Sequence, residues 1–207
     1  MTVHDPDAYV ACMNEIKHRT AIVDNVLGVR DANRTIPIPN VEMAALQIRK
    51  VYELVAFASL AANKGRFNRE WKMFAKEWRL DQIVKRISKW NPEFLPMSIV
   101  EEAAPQPGIR AHILDAPERS ITSLQLVERH GRLGEVLHAR NPFSKQVDYN
   151  QLAKRLAAER NDIVDWLNIH RVSIQPGQLF YRVIMKAEDN QVHCAQLVSS
   201  AHIKSEP

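Results

Sequence analysis

Cysteine is nearly missing from this chain. Only Cys12 and Cys194 occur among 207 residues. They lie far apart, which excludes a disulfide framework or a CxxC pair and favours a reducing interior. Glycine is scarce too, with six residues, and no GxxxxGK(S/T), GxGxxG or GxSxG pattern occurs, so phosphate-loop and serine-hydrolase chemistries fall away. The eight histidines are scattered. HExxH is absent, and the neighbours His193 and Cys194 would point to opposite faces of a strand. No metal site and no cofactor is therefore expected. Long apolar runs are lacking as well: the longest, residues 54–62, falls far short of the roughly 20 residues that a membrane span needs. The first residues carry no basic stretch followed by an apolar one, so no signal peptide is expected. These absences predict a soluble, cytoplasmic protein with no membrane attachment.

What is present is ordinary for a folded domain, 45% hydrophobic and 25% charged residues. Tyr9, Met13, Ile16, Thr20, Val23 and Leu27 recur at helical spacing and predict a first helix over residues 7–27. Pro37 and Pro39 interrupt the chain, and Asn40 is the expected cap of a second helix. That helix is polar only along Gln47, Arg49, Lys50 and Glu53, the pattern of a central helix buried on most sides. Its Arg49 and Glu53, one turn apart, are expected to form a partly buried pair. A third helix is expected over residues 67–89, with Phe67, Trp71, Phe74 and Trp78 as a core-filling stripe. Thr122 and Gln125 make a capping-box pattern that opens a fourth helix. A fifth is expected over residues 148–168, with Asp148 as its cap. Residues 179–185 and 192–198 flank a polar turn and read as an antiparallel hairpin, with residues 109–114 as a candidate third strand. The resulting fold class is mainly α: a five-helix bundle around a central apolar helix, with a small C-terminal antiparallel β-hairpin element. Residues 1–170 form the bundle, with a short strand in the loop 92–122. Residues 171–207 form a hairpin tail on the same domain.

Charge is unevenly placed. Residues 64–89 hold nine lysines and arginines against Glu70, Glu77 and Asp81, a net +6, whereas the whole chain carries +4. On the expected third helix, Arg69, Lys72, Lys76 and Arg79 share one face, which suits tracking of a phosphate backbone or a plain solvated surface. The other notable stretch runs from Gly131 to Phe143. Two glycines in a helix, each costing roughly 1 kcal/mol relative to alanine, predict close packing there. Arg132 and His138 add an anion-stabilising cation and a group able to move protons at neutral pH.

Arg132-x5-His138 near a helix end resembles the arginine–histidine signature of the HEPN superfamily. The resemblance implies a helical-bundle homodimer, directed at RNA and acting as a metal-independent endoribonuclease in a defence or toxin-type system. Arg132 would stabilise phosphate charge and His138 would act as acid and base. A wider pattern is similar to a group of bacterial proteins that brings no settled function. It is carried by Glu15-Ile16-Lys17-x-Arg19, Leu46-Gln47-x-Arg49-Lys50-x-x-Glu53, Asn91-Pro92-x-Phe94 and Leu137-His138-Ala139-Arg140-Asn141-Pro142-Phe143. The alternative is a non-catalytic helical binding or scaffold protein. Leu133 favours it by belonging to the apolar stripe. So does an ideal helix, which would set Arg132 and His138 about 120° apart.

Overall fold

The computed structural model describes residues 5–66, 77–104, 111–139, 143 and 146–199. Helix α1 (Pro6–Gly28) is capped by Asp5, whose side chain accepts from the Ala8 amide, and it buries Tyr9, Met13, Ile16, Thr20 and Val23. Helix α2 (Ile38–Ala62) is the central element, with Val41, Ile48, Val51, Tyr52 and Val55 fully buried. It starts three residues earlier than the asparagine cap predicted. Pro37 takes the cap position, and Asn40 lies in the first turn, donating its side-chain amide to the Val26 carbonyl. Proline fits there because first-turn amides have no partner within the helix.

Helix α3 spans only Leu80–Trp90. Glu77 to Arg79 lie outside it, so a single helix over residues 67–89 is not what forms. Glu77 accepts the Arg79 amide at 3.1 Å and pairs with Arg86 at 3.4 Å, holding the chain just ahead of the helix, whose N-cap residue Arg79 makes no side-chain cap bond. Trp78, assigned to the core stripe, is 75% exposed. Residues 67–76, with the other aromatics of that stripe, lie outside the described residues. Helix α4 (Ser123–Val136) carries the expected capping box between Thr122 and Gln125. Helix α5 (Tyr149–Leu167) is capped by Asp148, which accepts from the Gln151 amide.

The expected fold class is overturned by the sheet. Five antiparallel strands, β1 (Met97–Ala103), β2 (Ala111–Asp115), β3 (Ile169–Gln175), β4 (Leu179–Ile184) and β5 (His193–Val198), pair in the order β2-β1-β3-β4-β5. The protein is thus a helical layer joined to a full sheet, not a helical bundle with a hairpin. The hairpin β4–β5 forms in register from Leu179↔Val198 to Ile184↔His193. The candidate third strand exists as β2, but it pairs with β1 at the far edge.

Two strands escaped the sequence reading, for different reasons. β1 lies in a segment punctuated by prolines, yet Pro96 falls just before the strand, where a missing amide costs no ladder bond. β3 follows α5 with only Asn168 between them, and its inward positions are His170, Val172 and Ile174. A histidine at an inward position hid the alternation. α5 and β1 are stitched together by buried bonds: Trp166 Nε1 donates to the Pro96 carbonyl at 2.8 Å, and Ser98 Oγ donates to the Trp166 carbonyl at 2.7 Å. The helices cover one face of the sheet. The other carries the cross-strand ion pairs Arg171–Asp115 and Arg182–Glu101.

Candidate functional site

Helices α2, α4 and α5 meet along a band of polar side chains. From α2, the Arg49 guanidinium donates Nη1 to the His130 carbonyl at 2.9 Å and lies 3.5 Å from Glu53. The expected Arg49–Glu53 pair is therefore real. The same Glu53 oxygen lies 2.9 Å from His130 Nε2, so one carboxylate holds both the guanidinium and the ring. Gly134 makes this possible, since a Cβ there would sit 2.5 Å from Arg49 Nη1. The expected close approach thus exists at Gly134. At Gly131, an added Cβ would meet nothing within 4 Å.

One turn along α2, the Tyr52 hydroxyl donates to Glu159 of α5 at 2.7 Å. Burial, with the adjacent Glu159 charge, pushes the Tyr52 phenol far above its ordinary value, so it acts as a neutral donor. Arg129, beside Tyr52, donates to Asp162 at 3.0 Å, closing the band between α4 and α5.

Arg132 and His138 stand outside this brace. Arg132 is exposed on α4 and lines a groove of about 190 Å³ between α4 and α5. Glu135, Arg155 and Glu159 share that groove. His138 is also exposed and lies beyond the helix, which ends at Val136. Leu137 closes α4 by donating its amide to the Gly134 carbonyl. The 120° separation of an ideal helix therefore does not govern His138. Among the described residues, no hydrogen bond or ion pair joins Arg132 to His138, and none holds either to a third group. Leu133, between them, is buried in the core.

Of the proposed backbone-holding cations, Arg69, Lys72 and Lys76 lie outside the described residues. Arg79 is exposed and lies 2.9 Å from the Asp81 carboxylate. Its charge is thus already partly answered.

The reading from sequence missed a buried cluster beneath the sheet. His170, fully buried, sits with Nε2 2.7 Å from the Tyr9 hydroxyl and Nδ1 2.8 Å from the Leu167 carbonyl. A carbonyl can only accept, so Nδ1 carries the proton and Nε2 accepts from Tyr9. Burial pushes the imidazole down to about 4, which keeps it neutral. Burial likewise pushes the thiols of Cys12 and Cys194 up to about 11. Both are free and held protonated, which suits packing and not nucleophilic attack. Among the described residues, no group of three or more histidine, cysteine, aspartate or glutamate side chains is placed to hold a metal ion. Nor is any helix among them long and apolar enough to cross a membrane.

Several residues of the wider sequence pattern brace the fold. Arg19 donates to both Glu15 and Gln47, tying α1 to α2. Asn91 donates to Asn63 and to the Ser173 carbonyl, each at 2.8 Å. Phe94 is buried. Comparison of the chain with protein-family models, with curated proteins and with solved structures gives no match in any of the three.

Proposed function

We propose that this chain is an RNA-directed, HEPN-like protein of the cytoplasm, acting as a homodimer and cleaving RNA without a metal. The observation that carries the reading is the state of Arg132 and His138. Both are exposed beside braced helices, and no described group engages either. His138 follows two residues after the end of α4, which carries Arg132, so both stand at the same end of that helix. His138 would take the proton from a ribose 2′-hydroxyl as its oxygen attacks phosphorus. Arg132 would stabilise the charge that develops on the phosphoryl oxygens while the bond to the 5′-oxygen breaks and that oxygen takes a proton from water. Arg155, in the same groove, is a second cation for the backbone. A defence or toxin-type role follows from the resemblance alone.

The test is digestion of total RNA in EDTA by the wild type, Arg132→Ala and His138→Ala. The wild type should cleave, and each substitution should slow cleavage by about 100-fold or more. Intact RNA with the wild type across several salt concentrations, or undiminished cleavage by His138→Ala, would sink the catalytic reading. Light scattering on the same samples reads the homodimer. The second reading, a non-catalytic binding protein, is favoured by buried Leu133, which spends the position between the two residues on packing. Its mark is salt-dependent RNA retention without cleavage.

A further inference from the structure

A second concavity lies away from the RNA reading, between α1, α5 and the connection from β4 to β5. Its volume is about 290 Å³. Ile16, Ile163, Leu167 and Met185 form an apolar floor. Ligand pockets of small molecules begin at about this size, with apolar walls and a few convergent polar groups.

The rim is cationic. Lys17 of α1 donates its ammonium to the Asn190 carbonyl, a neutral acceptor that leaves the charge uncompensated. The tight turn that presents this carbonyl has Asn190 at φ 61, and Asn190 donates its amide to Ala187 at 2.8 Å. Arg160 of α5 pairs one end of its guanidinium with Asp24 and the other with the Asn161 side chain, yet its Nε–H is buried without a hydrogen-bond partner. Lys186 is exposed and, among the described residues, has no ion pair. Three cations thus line the cavity, with Asp24 engaging Arg160 and Glu188 exposed in the connection that carries Lys186. Asp189, in the same turn, is spent on His193 and on the Gln191 amide.

An oxygen delivered from the cavity would give that buried donor a partner. We propose that this cavity binds a small amphipathic carboxylate. Its anionic head sits among Lys17, Lys186 and Arg160 Nε, and its hydrocarbon tail lies on the Ile16–Ile163–Leu167–Met185 floor. A cationic head would meet the rim's positive charge, and a fully polar anion would leave the floor uncovered.

The test is isothermal titration of the full chain with octanoate and with octylamine. Octanoate should bind saturably. Octylamine and the Lys17→Glu/Lys186→Glu variant should each bring a loss of about tenfold or more, the scale of one charge-assisted hydrogen bond. Ala21→Trp, from an exposed position on the cavity wall, should abolish binding while leaving the circular dichroism spectrum and Tm unchanged. No saturable octanoate binding up to millimolar concentration, equal binding of octylamine, or binding retained by a folded Ala21→Trp would each overturn the proposal.

Discussion

Gly131 and Gly134 occupy one helix, yet their surroundings give opposite expectations for the same substitution. At Gly131 an added methyl group meets nothing within 4 Å, so Gly131→Ala should stabilise by about 0.5–1 kcal/mol through helix propensity. At Gly134 the methyl would fall 2.5 Å from Arg49 Nη1. That Nη1 donates to the His130 carbonyl, and the Nε of the same guanidinium lies 3.5 Å from Glu53, so the group is held on both sides and is not free to swing away. Losing a hydrogen bond to a charged group costs about 1.5–3 kcal/mol, more than the helix gains, so Gly134→Ala should be net destabilising by about 1 kcal/mol. Urea midpoints for the two variants should move in opposite directions. Equal shifts would mean that Arg49 relocates without loss.

Among the elements, α4 depends most visibly on its first turn. Thr122 Oγ1 accepts the Gln125 amide at 3.2 Å, and the Gln125 side chain accepts the Thr122 amide at 2.9 Å. Thr122→Ala should cost about 1 kcal/mol, with amide exchange rising first in the opening turn of α4. This element was legible in the sequence down to its cap, because every group of a capping box lies within four residues. Helix α3 was not. It starts at Leu80, with Glu77 bonded to Arg79 and Arg86 outside it, whereas the aromatic spacing ran one helix through this point. β1 and β3 were illegible for a related reason. Their inward residues include Ser98 and His170, whose polar atoms find partners only once α1 and α5 are in place.

At the scale of the whole molecule, His170 makes folding pH-dependent. Its folded value of about 4 lies below the ordinary 6.5, so the unfolded chain binds the proton first as pH falls. The contribution is fully present above pH 6.5 and is lost between there and about 4, a span worth roughly 3 kcal/mol. Denaturant melts at pH 7, 5.5 and 4.5 should show that slope in the wild type and a flatter one in His170→Gln. The sequence by itself determined α1, α4 and α5, the caps Thr122 and Asp148, the β4–β5 hairpin and the Arg49–Glu53 pair, because each is written in residues a few positions apart. Only the tertiary structure decided that five strands join one sheet, and that Gly134 and not Gly131 receives a partner. It alone also left Arg132 and His138 unengaged and set Lys17 and Arg160 around one cavity. Those outcomes rest on contacts between distant segments, where the burial of one residue is fixed by side chains that local spacing does not specify.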